Sequence, residues 1–301
     1  KVAKFEMMSE DDQADPKMGP TIAQKFVDAK VAGVAGHLNS GVSIPASAVY
    51  NQASIPMISG SATNPKLTEQ GFKTQFRVVG RDDQQGPAIA SYLAAEKKPK
   101  MVAIIDDATA YGEGLANEVE KTLKAAGVKV LPREKGTDKT VDWKAVLTKV
   151  KGKNPDVVFY GGMDAVAGPM LRQMKQLGID ARFMGGDGIC TGELPKLAAG
   201  AIADGQVVCA EAGGVEGAQK AGMDKFKADF KKKFNADVQI YAPYVYDAVM
   251  VMADSMVKAG SADPAKYLPV LAKTSYKGVT GNIAFDEKGD IKNGALTLYT
   301  Y

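Results

Sequence analysis

Short apolar runs alternate with longer segments of helical periodicity along most of the chain. The apolar runs, which are typical of buried strands, are residues 2–7, 31–35, 55–58, 101–105, 128–131, 157–160, 183–184 and 206–209. The segments that repeat apolar residues every three or four positions are 21–29, 44–53, 84–96, 113–126, 143–151, 165–178 and 217–234. Regular alternation of strands and helices predicts an α/β fold built from parallel sheets in doubly wound domains.

Length and composition place the chain among globular proteins. Its 301 residues are enough for two domains, and 45% of them are hydrophobic and 24% charged, which are ordinary values. No apolar run reaches the roughly 18–20 residues that a membrane-spanning helix needs. The net charge is only +3, and the lysines have no aromatic or arginine cluster beside them. We therefore expect no nucleic-acid partner.

Cysteine and histidine are too scarce for a zinc site. The chain has two cysteines, Cys190 and Cys209, and one histidine, His37, whereas a structural zinc ion needs about four such ligands. We expect neither a metal nor a cofactor. The two cysteines are compatible with a disulfide in an exported protein and equally with two buried thiols, and the sequence does not decide between these alternatives.

Two segments at strand ends are suited to holding an anion. The segments are residues 36–41 and residues 60–65, and each follows an apolar run and precedes a helical segment. Residues 60–65 are named the cradle loop. The two segments offer the hydroxyl groups of Ser40 and Thr63 together with backbone N–H groups. Donors at the carboxyl end of a strand, facing the start of a helix, bind anions. This pattern predicts a carboxylate site.

An acid and three large side chains complete a candidate pocket. Asp187 is flanked by glycines at the end of a strand, where it can approach a ligand closely. Tyr111, Met163 and Tyr241 lie in loops where a core does not require large groups. Donors for an anion, an acid for a cation and apolar walls together predict a pocket for an amino-acid zwitterion.

Catalytic patterns are weak by comparison. Metalloprotease, Walker A, nucleophile-elbow and CxxC motifs are absent from the sequence. His37 ends an apolar run, which favours a core or turn histidine over a catalytic one. Asp106 and Asp107 form the best acid pair, but a strand-end turn explains them better. We expect no enzyme; the alternative is an enzyme acting on an amino acid with Asp106 or Asp187 as the base.

Three polar segments divide the chain into two lobes. Candidate crossings lie at residues 77–83, 209–214 and 285–290. They predict one lobe from residues 1–80 with 211–288, and a second from residues 81–210 with 289–301. Three crossings between two α/β lobes are typical of a hinged clamp that closes on a ligand.

Five short motifs resemble one known family. The sequences Gly-His-Leu-Asn-Ser at 36–40, Tyr-Gly-Glu-Gly-Leu at 111–115, Tyr-Gly-Gly at 160–162, Phe-Met-Gly at 183–185 and Phe-Asp-Glu-Lys-Gly-Asp at 285–290 resemble those of the leucine/isoleucine/valine-binding proteins. These are periplasmic receptors of bacterial ABC importers and have the type I periplasmic-binding fold. The resemblance extends over essentially the whole chain, in matching order and spacing.

The resemblance implies how the two ends of the ligand are bound. Ser40 and Thr63 match the hydroxyls that hold the ligand carboxylate, with help from the backbone at Ser61 and Ala62. Asp187 matches the acid that pairs with the ligand ammonium, where the family more often has glutamate. The implied function is capture of an aliphatic, branched-chain L-amino acid in the periplasm and its delivery to the membrane permease of an ABC transporter.

The resemblance also implies what surrounds the ligand side chain. Tyr111 matches a tyrosine of the second lobe, and Tyr241 matches an aromatic wall. Met163 stands where leucine-type receptors have an aromatic residue, which leaves another small carboxylate or an amide as an alternative ligand. The first strand–helix unit of the family is not recognisable, so we expect either a monomer or a domain that a further N-terminal segment completes.

Overall fold

The computed structural model describes residues 4–213 and 218–301. These residues form ten α-helices and twelve β-strands. The helices are α1 (Met18–Asp28), α2 (Ser40–Gln52), α3 (Asp82–Tyr92), α4 (Ala110–Ala125), α5 (Lys144–Lys153), α6 (Asp164–Gln176), α7 (Leu194–Ala198), α8 (Ala218–Phe234), α9 (Ala242–Ala259) and α10 (Pro264–Leu271). The strands are β1 (Val34–Ala35), β2 (Met57–Ser59), β3 (Gln75–Arg77), β4 (Met101–Asp106), β5 (Lys129–Val130), β6 (Glu134–Lys135), β7 (Val157–Gly161), β8 (Arg182–Gly185), β9 (Val207–Ala212), β10 (Tyr276–Lys277), β11 (Asn282–Ile283) and β12 (Leu296–Thr300).

The larger sheet has seven strands and helices on both faces. Its order is β12-β9-β8-β7-β4-β5, and β6 also pairs with β4. All pairs are parallel except β12 with β9. Successive residues of β4 face opposite sides: Val102 packs with α3 and α4, whereas Ala103 packs with α5 and α6. Burial of both faces explains why these strands are continuous apolar runs in the sequence.

The smaller sheet has three parallel strands in the order β1-β2-β3. Helices α1 and α2 cover one face, where Met57 is buried, and α9 and α10 cover the other, where Ile58 is buried. The short β10–β11 hairpin packs with the second group. Both sheets are therefore sandwiched between helices, as the alternating sequence pattern predicts.

Most of the predicted elements are confirmed. Every predicted helix corresponds to an observed one, although the segment predicted at 44–53 begins earlier, at Ser40, and residue 217 lies outside the described residues. Seven of the eight predicted strands correspond to β1, β2, β4, β5, β7, β8 and β9. The sequence did not predict β3, which has three residues, β6, β10 or β11, which have two residues each, or β12, which alternates apolar with polar positions.

The strand predicted at residues 2–7 is wrong for the part that the structure describes. Residues 4–7 form no strand, and Phe5 and Met7 are exposed by 61% and 92%. An apolar alternation becomes a strand only where a neighbouring strand takes up its backbone hydrogen bonds. Residues 2 and 3 lie outside the described residues.

A disulfide joins the loop that follows β8 to strand β9. The sulfur atoms of Cys190 and Cys209 are bonded, and their Cα atoms lie 5.3 Å apart. Cys190 directly follows the single helical turn Asp187–Ile189, and Cys209 lies in β9, the neighbour of β8 in the sheet. The structure thus settles the alternative that the sequence left open, and the bond ties the loop that carries Asp187 to the sheet.

Loss of this disulfide is expected to destabilise the protein. Cys190 and Cys209 are 19 residues apart, and cross-linking a loop of this size stabilises a fold by about 3 kcal/mol, chiefly by restricting the unfolded chain. The Cys190→Ala/Cys209→Ala variant should lose about that much free energy of unfolding in urea denaturation. A reducing agent should destabilise the parent protein but not the variant. Equal stability of the two proteins would contradict this expectation.

The described part of the chain offers no membrane span and no metal site. Within residues 4–213 and 218–301, no helix combines the length and the apolar character that crossing a bilayer requires. In the same residues, no three His, Cys, Asp or Glu side chains are grouped so that they could hold a metal ion.

Candidate functional site

Two serine side chains hold the cradle loop at the end of β2. The Ser59 hydroxyl oxygen accepts hydrogen bonds from the backbone N–H groups of Ser61 at 3.3 Å and Ala62 at 2.9 Å. The Ser40 hydroxyl oxygen accepts from the Asn64 N–H at 3.2 Å. The amides of Ser61 and Ala62 therefore already have an acceptor. Ser40 uses only its oxygen in this contact, so its hydroxyl proton can be donated to a ligand.

A buried arginine lies behind the cradle loop. Arg77 is fully buried at the end of β3, and its Nη1 donates to the carbonyl oxygens of Ala62 and Asn64, both at 2.9 Å. Its Nε donates to Asp290 at 2.6 Å and its Nη2 to the Thr68 hydroxyl at 2.6 Å. Each of the three guanidinium nitrogens thus donates to the cradle loop or to a residue that supports it.

The guanidinium also orients the peptide between Ala62 and Thr63. In a trans peptide the N–H points opposite to the C=O. Because the Ala62 carbonyl points at Arg77, the Thr63 N–H points away from it. The loop therefore directs the positive end of a peptide dipole away from a buried cation, which is a suitable arrangement for binding an anion.

Asp187 is the centre of a second group of residues. It is 2% exposed, and its Oδ1 accepts from Gln85 Nε2 at 3.0 Å and from the Tyr111 hydroxyl at 2.9 Å. Its Oδ2 accepts from the Tyr241 hydroxyl at 2.8 Å. Burial raises the pKa of Asp187, and the hydrogen bonds from Gln85, Tyr241 and Tyr111 oppose that rise. The same burial and the Asp187 charge raise the pKa of both tyrosines.

The backbone beside Asp187 is packed too closely for any residue but glycine. The Gly188 N–H donates to the Tyr111 hydroxyl at 2.9 Å. A β-carbon at Gly188 would lie 2.7 Å from the Gly162 carbonyl oxygen and 2.8 Å from the Met163 sulfur. This close approach brings Met163, Tyr111 and the Asp187 loop together, as the sequence predicts for the walls of a pocket.

Two contacts connect the parts of the molecule that carry these groups. The Asn64 side chain, in the cradle loop, donates to the Ala110 carbonyl at the start of α4 at 2.6 Å. Tyr241, which directly precedes α9, reaches Asp187 across the same boundary. Helix α4 packs on the larger sheet and α9 on the smaller one. The cradle loop and Asp187 therefore lie on opposite sides of one boundary between the sheets.

A second buried acid lies between them. Asp82 begins α3, and its N–H donates to the Thr63 carbonyl at 2.9 Å. Gln85 Nε2 donates to Asp82 Oδ1 at 3.2 Å and also to Asp187 Oδ1. Burial, reinforced by the nearby Asp187 charge, raises the pKa of Asp82 to about 8. Through Gln85, the cradle loop and Asp187 belong to one connected network.

Comparison with known proteins identifies the family of this chain. The model of the periplasmic binding protein family matches residues 3–301. The chain belongs to this family. It is 38% identical over 300 residues to the leucine-, isoleucine-, valine-, threonine- and alanine-binding protein of Pseudomonas aeruginosa, covering 99% of this chain and 79% of that protein. It is 40% identical to the Leu/Ile/Val-binding protein homolog 1 of Brucella abortus, covering 97% and 77%.

Solved structures show the same type I periplasmic-binding fold. The branched-chain amino acid transporter substrate binding protein of Streptococcus pneumoniae, in complex with isoleucine, superimposes with a TM-score of 0.89 at 26% identity, covering 98% of this chain and 84% of that one. A leucine-binding protein from Thermotoga maritima gives 0.87 at 26% identity, covering 97% and 83%. The expected fold class and the family resemblance are both confirmed.

The periplasmic-binding fold brings the predicted residues into two groups. Ser40, Ser61, Ala62 and Thr63 form the first, around the cradle loop, and Asp187 with Tyr111, Met163 and Tyr241 forms the second. Their individual roles in binding stay predictions. No sequence motif singles out Asp82, Gln85 or Arg77 as a site residue. A polar helix start placed directly after a strand was the signal for the first two, and it was interpreted only as a crossing between lobes.

The candidate catalytic residues have ordinary structural partners. Asp107 Oδ1 accepts from the N–H and the hydroxyl of Thr109, the N-cap of α4, and Asp106 closes the adjoining turn. The His37 ring is buried and bonded to Asp12 at 2.7 Å. The structure thus confirms a turn for the acid pair and a core position for the histidine. Periplasmic binding proteins are solute receptors rather than an enzyme family.

Proposed function

We propose that this chain is a periplasmic receptor that captures an aliphatic, branched-chain L-amino acid and delivers it to the permease of an ABC transporter. The ligand carboxylate binds at the cradle loop and Ser40, and its ammonium group binds at Asp187. The relatives named for leucine, isoleucine and valine, and the solved relative that holds isoleucine, support this ligand class.

The opposite polarity of the two groups carries the proposal. A ligand buried between them must find a partner for each of its charges, because an unpaired buried charge is strongly unfavourable. The Ser40 hydroxyl and the Thr63 N–H offer donors in front of the Arg77 cation. The Asp187 carboxyl offers an acceptor that three donors hold in place. Only a ligand with both charges uses both ends.

Closure of two lobes is the proposed mechanism of capture. The lobes are residues 1–80 with 211–288 and residues 81–210 with 289–301, joined by the three crossings. Two of the crossings lie side by side, since the Arg77 N–H donates to the Gly289 carbonyl at 3.0 Å and the Arg77 side chain bonds Asp290. Rotation about such a hinge would present a closed form to the permease. The Cys190–Cys209 disulfide is compatible with the oxidising periplasm.

A thermal-shift series tests the ligand class. L-Leucine, L-isoleucine and L-valine at about 100 times Kd should each raise the Tm by about 5 °C, because a ligand that binds only the folded state stabilises it by about 2.7 kcal/mol. L-Lysine and 4-methyl-2-oxopentanoate, the keto acid that has the leucine side chain but no ammonium group, should not. Leucine recovered unchanged after incubation would separate a receptor from an enzyme. A shift with the keto acid alone would overturn the proposal.

A further inference from the structure

Two buried polar atoms at the contact between the cradle loop and α3 make no hydrogen bond within the described residues. They are the Asp82 Oδ2 and the Thr63 Oγ1. Both side chains are almost completely buried, Asp82 at 0% and Thr63 at 2% exposure. The Thr63 hydroxyl lies near the Asp82 carboxyl and lowers its pKa, yet it makes no hydrogen bond of acceptable geometry.

Such atoms need an explanation, because each unsatisfied buried polar group costs about 1–3 kcal/mol. A carboxylate oxygen that no protein group satisfies accepts a hydrogen bond from a bound water or ligand, or carries a proton of its own. The Asp82 Oδ1 already accepts a hydrogen bond from Gln85. The Oδ2 is therefore the oxygen that can carry a proton or accept a hydrogen bond from a bound group. The same position therefore suits a proton in one state and a ligand N–H group in another.

The charges around Asp82 favour the proton when no cation is present. Gln85 Nε2 donates to both Asp82 and Asp187, so the two carboxyls share one donor. Two carboxyls this close do not both ionise readily. Arg77, the cation whose charge lowers the pKa of Asp82, is bonded to Asp290 and to the cradle loop instead.

The other titratable groups near Asp82 do not supply a counter-charge. The Asp82 charge raises the pKa of Tyr111, in α4, and of Tyr241, in the segment before α9. Asp83, the next residue of α3, is bonded to Arg81, which also bonds Asp290. No positive side chain in the described part of the chain donates to Asp82.

We propose that Asp82 is a proton-exchange residue of the ligand site. Its carboxyl carries a proton when the site is empty and releases it to solvent when the ammonium group that binds at Asp187 also donates to the Asp82 Oδ2. No bond other than that O–H is broken, and the charge of the ammonium balances the carboxylate formed. The inference rests on the proposed function, since it needs a ligand with an ammonium group.

Proton exchange makes ligand binding depend on pH in a definite direction. A carboxyl with a pKa of about 8 is largely protonated at pH 6. The bound ammonium stabilises the ionised form, so binding lowers this pKa and releases a proton. The affinity for L-leucine should therefore rise by about tenfold for each pH unit between pH 6 and about 8, and then level off.

Titration calorimetry with L-leucine tests the exchange. In the parent protein at pH 7, about one proton should pass to the buffer for each leucine bound. The binding enthalpy should therefore differ between phosphate and Tris by about the difference between the protonation enthalpies of these two buffers. In the Asp82→Asn variant it should be the same in both buffers, and the Kd should not change between pH 6 and 8. The matched control is Asp83→Asn on the same helix, which should behave like the parent. Proton release that persists in Asp82→Asn would overturn the inference.

A measurement without ligand separates this inference from the proposed function. In the protein labelled with carboxyl-¹³C aspartate, NMR should show one carboxyl that titrates near pH 8, and its signal should be missing in Asp82→Asn. Absence of such a carboxyl from the parent protein would overturn the inference even if leucine binds. If leucine does not bind but the carboxyl is present, the proposed ligand is wrong while the proton on Asp82 is supported.

Discussion

Replacement of Asp187 by alanine should lower the affinity for L-leucine by roughly 10²- to 10⁴-fold, while the protein stays folded. Two effects add. The ligand ammonium loses a buried counter-charge, and the donors on Gln85, Tyr111 and Tyr241 lose their acceptor. Titration calorimetry gives the affinity, and circular dichroism shows whether the fold is kept.

The control for Asp187 is an acid of the same type outside the site. Asp180 is exposed in the turn before β8, and Asp180→Asn should bind leucine as the parent does. The isosteric Asp187→Asn removes the charge but keeps one acceptor oxygen, so its affinity for leucine should lie between those of the parent protein and of Asp187→Ala. An Asp187→Ala variant with the affinity of the parent would remove this residue from the binding site.

Replacement of Arg77 by methionine should reduce the free energy of unfolding by about 3–5 kcal/mol. Arg77 and Asp290 are both buried and bonded at 2.6 Å. Removal of one member leaves the other as a buried charge with fewer partners, which is far more costly than loss of an exposed pair. The Ala62 and Asn64 carbonyls also lose their donor. Urea denaturation measures the change.

An exposed pair provides the comparison for Arg77. Lys220 and Asp224 form an ion pair one turn apart on α8, with more than half of each side chain in solvent. Lys220→Ala should change the free energy of unfolding by less than about 1 kcal/mol. If Arg77→Met loses no more free energy of unfolding than Lys220→Ala, the buried Arg77–Asp290 network does not stabilise the fold as its geometry indicates.

Local sequence patterns were sufficient for the fold but not for the network beneath the site. Strand–helix alternation is a short-range signal, and it located seven of the ten helices and most of the strands of both sheets. Arg77 and Asp290, by contrast, are 213 residues apart, and neither lies in a local sequence pattern that indicates which residue it binds. The cradle loop was recognisable from its hydroxyl residues, whereas the arginine that orients it was not.

Pairings between neighbouring strands explain the other differences. Cys190 and Cys209 could be assigned as a disulfide only once β8 and β9 were known to be adjacent. The apolar alternation at residues 4–7 had the pattern of a strand without the partner that makes one. Asp82 had the sequence context of an exposed helix start, and its complete burial comes from the packing of Thr63 and Asp187 around it.

The two ends of the proposed site differ in how they respond to acid. The Arg77 guanidinium behind the cradle loop remains charged at any pH that a cell meets, whereas Asp82 on the ammonium side gains a proton as the medium acidifies. Acidification therefore weakens the hold on the amine and leaves the hold on the carboxylate unchanged. The ratio of the receptor's affinity for an amino acid to its affinity for the amine-free analogue would then be smaller at acidic pH and larger at neutral pH.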